Sequence, residues 1–202
     1  MNVLLTVLLI QQGLVALRGE MERRDKYAAS VTTALHARKP VLVVGGPWGT
    51  SPVRKLFGVR AHGCGDICSD VDPMACAGCS FVPGDIRALP FTDKQFGAVF
   101  CSHVLEHMDN VQDVAHAWKE LHRMADSVFV LVPGKDSLGG WLAPDHHLWV
   151  KEVSTTTLIV EERPTGNIYL VYSDGRYAPT RDRENVTMRR HGIRRDVVTF
   201  RD

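Results

Sequence analysis

At 202 residues and 45% apolar content, the chain can bury one sizeable core, which suits a single globular α/β domain with short appendages. A formal net charge of +1 supplies no broad field for gathering a polyanion, so a dedicated nucleic-acid binder is set aside. Four of the five cysteines, Cys64, Cys68, Cys76 and Cys79, crowd into one segment. This is not the even spacing of a stapled secreted scaffold, and a reducing, cytoplasmic setting is the expectation.

The chain opens with an apolar run, Asn2 to Leu17, interrupted only by Thr6, Gln11, Gln12 and Gly13 and followed by Arg18, Arg23, Arg24 and Lys26. As a helix it would span about 24 Å, short of the roughly 30 Å hydrocarbon core of a bilayer. A marginal membrane anchor, a helix packed on the domain or a partner, and a signal peptide without a basic leader all remain open. As an anchor, it would leave the positive charges and the domain behind it on the cytoplasmic face. Residues 1–24 are accordingly read as an appendage, 25–175 as the domain and 176–202 as an Arg-rich tail. The tail is a solvated extension or a surface for anionic lipid or a partner.

Asp25 to Arg38 predicts a helix, stopped by Lys39-Pro40. Val41-Leu42-Val43-Val44 then reads as a strand buried on both faces, the pattern of a central parallel strand. A glycine-rich turn, Gly45-Gly46-Pro47-Trp48-Gly49, leads to Ser51-Pro52, a helix start whose free N–H groups suit an anionic group. Ile67-Cys68 forms a short strand ending in Asp70-Val71-Asp72-Pro73. An acid at the end of a second parallel strand is placed to accept from ribose hydroxyls. Only Met74 to Ser80 separates this turn from the next strand, leaving little room for a helix. The cysteines there read as packed small hydrophobes, with a zinc site or a redox pair as alternatives.

The most informative stretch is Gly84 to Asn110, GDIRALPFTDKQFGAVFCSHVLEHMDN, which reads strand end, loop, buried strand and His-bearing turn. His103 and His107 lie four residues apart and are candidates for a general base. Asp109 or Asn110 caps a helix whose apolar residues Val111, Val114, Ala115, Trp118 and Leu121 recur at helical spacing. Ser127 to Val132 predicts a fifth buried strand. The loop Gly139 to Trp149 follows it, where α/β proteins bind substrate, and Trp141, His146, His147 and Trp149 are candidates for an acceptor pocket. Thr155 to Glu162 and Ile168 to Ser173, joined by Pro164-Thr165-Gly166-Asn167, read as a β-hairpin.

In wording and spacing, the block "GD…LPF…HVLEH" resembles the class I S-adenosylmethionine (SAM) dependent methyltransferases, in particular the small-molecule, type 11-like branch. The resemblance implies a Rossmann-like, mostly parallel sheet closed by an antiparallel hairpin, with helices on both faces. It implies SAM as cofactor, held by Gly45, Gly46, Gly49, Asp70, Val71, Asp85, Ile86 and Ser102. Asp70 would take the ribose, Asp85 and the Ile86 backbone the adenine, and Ser102 would lie beside the sulfonium. His103 and His107 become the catalytic candidates, the partner is a small-molecule methyl acceptor, and no metal is expected. The chain departs from the family pattern at Val43, where an acid is usual, at Pro47, where the middle glycine falls, and at Gly97, where Asp is usual. These departures keep a second reading in view, a SAM-binding accessory protein without turnover.

Overall fold

A computed structural model describes residues 3–48 and 52–180; the expectations for Gly49, Ser51 and most of the Arg-rich tail fall outside them. In chain order the elements are α1 (Val3–Ala37), β1 (Val41–Val44), α2 (Pro52–Phe57), β2 (Ile67–Asp70), β3 (Phe81–Pro83), β4 (Phe96–Ser102), α3 (Val111–Met124), β5 (Ala125–Leu131), α4 (Leu138–Leu142), β6 (Leu148–Ser154), β7 (Thr157–Glu162), β8 (Ile168–Tyr172) and β9 (Tyr177–Pro179). Short 3₁₀ turns at Pro73–Cys76 and Leu105–His107 complete the set.

Four β-branched and leucine residues with no polar face must be covered on both sides, and β1 lies at the centre of a five-stranded parallel sheet of order β3-β2-β1-β4-β5. The chain runs outward from β1 to β2 and β3, then returns past β1 to β4 and β5. This creates a switch point between β1 and β4, where Val44 pairs with Cys101, and ligands of open α/β sheets bind outside the carboxyl ends of such strands.

Helices cover both faces of this sheet. On one face α1 sets Val31 and Ala34 against Val41, Ala98 and Phe129. Close contact is possible because β4 carries Gly97, where a Cβ would stand 2.7 Å from the Ala34 Cα. The missing Asp at this position is thus the seat of a helix. On the other face α3, capped by the Asn110 side chain accepting from the Asp113 N–H, buries Val111, Val114, Ala115, Ala117, Trp118, Leu121 and Met124. Each of its large apolar side chains contributes about 1.5–3 kcal/mol by leaving water.

α1 is a single helix of 35 residues, about 52 Å long, and it runs without a break through the boundary drawn at residue 24. Arg38, at φ 56°, takes the left-handed cap conformation, and the Lys39 N–H closes on the Ala34 carbonyl. By length and composition this one helix is sufficient to cross a membrane; its first part, including Leu4, Leu9, Leu14 and Leu17, is exposed.

Three features differ from expectation. The antiparallel pair β7-β8 exists, but it joins β6 and β9 in a separate four-stranded sheet, β6-β7-β8-β9, and does not close the parallel one. The second sheet packs on α3, with Leu148, Val150, Leu158, Val160 and Val171 in the same core as Trp118. Edge strand β9 takes residues 177–179 into the folded body. The cysteines are not free: Cys64 pairs with Cys79 and Cys68 with Cys76, leaving Cys101 as a buried thiol. The tight turn after β2 brings Cys76 back over Cys68, and Cα separations of 5.5 and 5.9 Å lie within bridging range. The four are therefore not the packed small hydrophobes expected from the sequence.

Candidate active site

The turn after β1 is pressed onto its neighbours. Gly45 has φ 84°, open to glycine, and a Cβ there would lie 2.3 Å from the Ser102 carbonyl oxygen. Gly46 abuts Ala75, whose carbonyl oxygen would be 2.1 Å from a Cβ. The Trp48 N–H and indole Nε1–H donate to the Ala75 and Ala77 carbonyls, and the Pro47 carbonyl accepts from the Ala61 N–H. Val43 lies in a buried cluster with Cys68 and Cys76, so the usual acid would be desolvated there against a disulfide.

Asp70 ends β2 half-buried, its Oδ2 accepting from the Gly46 N–H at 2.8 Å and Oδ1 from the Asp72 N–H at 3.0 Å. One carboxylate therefore ties the first turn to the second strand. Val71 beside it is 75% exposed. Beyond β3, Asp85 is gripped by Arg87, with Nη2 donating to Oδ2 at 2.5 Å and Nε to Oδ1 at 3.0 Å. Those bonds hold its carboxyl below the usual range. Ile86 and Ser102 are buried. For SAM the fit is one-sided. Each Asp70 oxygen keeps a lone pair beside an exposed Val71, which suits a ribose and an adenine edge. At Gly45 and Gly46, by contrast, the space a Cβ would take is filled by the chain itself.

His103 follows β4 at φ 55°, a left-handed conformation uncommon for a residue with a side chain. Its N–H is fixed by the Leu131 carbonyl. Arg23 Nη2 lies 3.0 Å from its Nε2, and its Nδ1 lies 3.0 Å from Glu106 Oε1. Because Arg can only donate, Nε2 is the acceptor and Nδ1–H donates to Glu106. Glu106 is 1% exposed. Arg23 is further held by Glu20, which also binds Arg54 at 2.7 Å, and burial lowers the Arg23 pKa. His107 places Nδ1 3.1 Å from the Asp145 carbonyl and 3.2 Å from its carboxylate, and its ring meets that of His146 edge-on at 4.7 Å.

A groove of about 1250 Å³ opens where α1 passes the carboxyl ends of β4 and β5, lined by Arg23, Lys26, His103, Val130, Trp149 and Glu152 among others. Of the four acceptor candidates, only Trp149 lines it. Trp141 stacks against Trp149 at 4.9 Å, and the Arg163 guanidinium lies over both rings. Arg163 also donates to the Gly140, Trp141, Ala143 and His146 carbonyls. The His147 N–H donates to the Glu106 carbonyl. His146 and His147 are thus drawn to the Leu105–His107 turn, while the Trp141 indole Nε1–H donates to the Lys135 carbonyl. Asp70 and Asp85 do not line the groove either.

Glu106, Arg23 and Arg163 were missed as site residues. An acid directly after Val104 and Leu105 in a buried-looking turn was a readable signal for the first. The two arginines had none, because their partners lie 80 residues and about 20 residues away in sequence.

A parallel sheet ordered about a β1/β4 switch point with helices on both faces is a Rossmann-like α/β fold, beside which a separate antiparallel sheet is packed. Residues 64–128, about a third of the chain, match the family described as "Methyltransferase domain". Similar solved structures include a protein of Pyrococcus horikoshii (16% identity over 76% of this chain and 74% of that one, TM-score 0.38). Another is the 1,6-didemethyltoxoflavin-N1-methyltransferase of Burkholderia thailandensis, bound to 1,6-didemethyltoxoflavin and S-adenosylhomocysteine (12%, 80% and 66%, 0.36). A third is a methyltransferase of Galdieria sulphuraria (13%, 45% and 37%, 0.32). The chain spans 37% of the Galdieria structure and 54% of one from Thermotoga maritima. Comparison with curated proteins found no match.

Proposed function

We propose that this protein is a SAM-dependent methyltransferase acting on a small-molecule acceptor. The observation that carries the reading is Asp70, which ends β2 within the segment that matches the methyltransferase domain, with lone pairs left for a ribose. SAM supplies a methyl group already activated on a sulfonium, so the protein's task is chiefly alignment.

In this reading Asp70 and the backbone around Val71 hold the adenosine, and the acceptor enters the groove beside His103. The acceptor displaces Arg23 from His103 Nε2, which then takes its proton. Glu106, already accepting from Nδ1–H, steadies the imidazolium that results. α1 forms one wall of this groove through Glu20, Arg23 and Lys26.

The accessory reading, SAM binding without turnover, draws support from the filled Gly45–Gly46 turn and from the hold of Arg23 on His103. Calorimetry with SAM and S-adenosylhomocysteine, paired with methyl-release assays over an acceptor panel, separates the two. Asp70→Ala is expected to weaken SAM binding by tenfold or more while circular dichroism stays unchanged. Equal affinity in that variant would refute the cofactor assignment.

A further inference from the structure

Beyond its bond to His103, Glu106 in the Leu105–His107 turn belongs to a second constellation with His107 and His146. Glu106 Oε1 accepts from His103, but Oε2 is buried with no hydrogen-bond partner. An anionic oxygen without a partner in a dry site is costly. His146 Nδ1 is buried and unpartnered as well. His107 uses Nδ1 toward Asp145, leaving its Nε2 lone pair unprotonated. Glu106, His107 and His146 each offer a donor atom, and the three lie within 4.8 Å of one another.

We propose that Glu106, His107 and His146 bind a divalent transition-metal cation. Two imidazole nitrogens and one carboxylate oxygen are the donor set of three-ligand zinc sites and of facial-triad sites, whereas Mg²⁺ and Ca²⁺ favour all-oxygen surroundings. Bonds near 2.1 Å place tetrahedral donors roughly 3.4 Å apart, so modest rotation of the two histidines closes the set on an ion. The supporting shell is already in place. Asp145 accepts from His107, His103 donates to the second Glu106 oxygen, and Arg23 fixes the His103 tautomer. Arg163 clamps the backbone that carries His146. An ion here would join the loop 140–147 to the end of β4 and keep a coordination position open to water or another ligand.

The test uses the untagged full chain, stripped with a chelator and kept free of reductant so that the four paired cysteines do not compete for metal. Calorimetric titration with Zn²⁺ is expected to show one equivalent bound, and Co²⁺ to develop the visible bands of a nitrogen- and oxygen-ligated site. His146→Ala and His107→Ala are each expected to weaken Zn²⁺ by tenfold or more. Glu106→Gln is judged only if circular dichroism shows it folded; His146→Ala, on a half-buried loop, keeps the test decisive. No stoichiometric Zn²⁺ binding by the unmodified chain, unchanged affinity in His146→Ala, or Mg²⁺ binding as tight as Zn²⁺ would overturn the proposal.

Discussion

Adding one methyl group at Gly97 probes how α1 is seated on the sheet. In Gly97→Ala the new Cβ would lie 2.7 Å from Ala34 Cα, 3.1 Å from Ala37 Cβ and 3.2 Å from Ala34 Cβ. Carbon atoms pack at about 3.5–4.0 Å, so the helix must withdraw by roughly 1 Å, because a backbone atom cannot rotate aside. A gap of that size forfeits about a quarter to a half of each dispersion contact it opens. The contacts at stake are those of Ala34 and Val31 with Val41, Ala98 and Phe129. Overpacking of this kind costs about 1–3 kcal/mol, against which replacing a strand glycine returns about 0.5–1 kcal/mol. The net expectation is a loss of about 1–2 kcal/mol, and at about 2–4 °C per kcal/mol for a chain of this size, Tm should fall by roughly 2–8 °C. Thermal and urea unfolding read it directly. In a double-mutant cycle Ala34→Gly should recover part of the loss, with a coupling of at least about 0.5 kcal/mol. An unchanged or raised Tm in Gly97→Ala would mean that α1 does not rest on β4.

The two disulfides close nested loops of 15 and 8 residues in separation. Their reduction should cost on the order of 2–4 kcal/mol, seen as a lower Tm with reductant. Alkylation of the denatured, unreduced chain should modify Cys101 alone by mass spectrometry, and five labelled cysteines would refute the pairing. His62 is enclosed with Tyr27 and Phe100, and burial pulls its pKa down to about 4. The unfolded chain protonates it near its ordinary value of about 6.5, so it binds the proton first. The stability held above pH 6.5 is lost as pH falls toward 4. His62→Phe should flatten that part of the urea-midpoint profile, and an identical slope would refute the assignment.

Much of the parallel sheet could be read from local pattern. Val41–Val44 has no polar face, so no arrangement other than a central strand leaves it satisfied, and the apolar spacing from Val111 to Leu121 admits one helical face. Strand β6 was not legible, since Lys151, Glu152 and Ser154 break the alternation. It is paired because β7 offers an edge and Leu148 to Val150 fill the core beneath α3. The cysteines fall in the same category: spacing alone allowed packing, metal or bridges, and only the return of the Pro73–Cys76 turn over β2 decided between them.

The candidate site divides along the same line. Asp70, His103 and His107 stand at strand ends and turns that local pattern places, so the sequence by itself determined where they would emerge. The association of Glu106 with His146, of Arg23 with His103 and of Arg163 with two tryptophans joins residues as many as 80 positions apart. Only tertiary structure could decide those, because a side chain's pattern records the face it buries and not the distant partner that the folded chain carries to it.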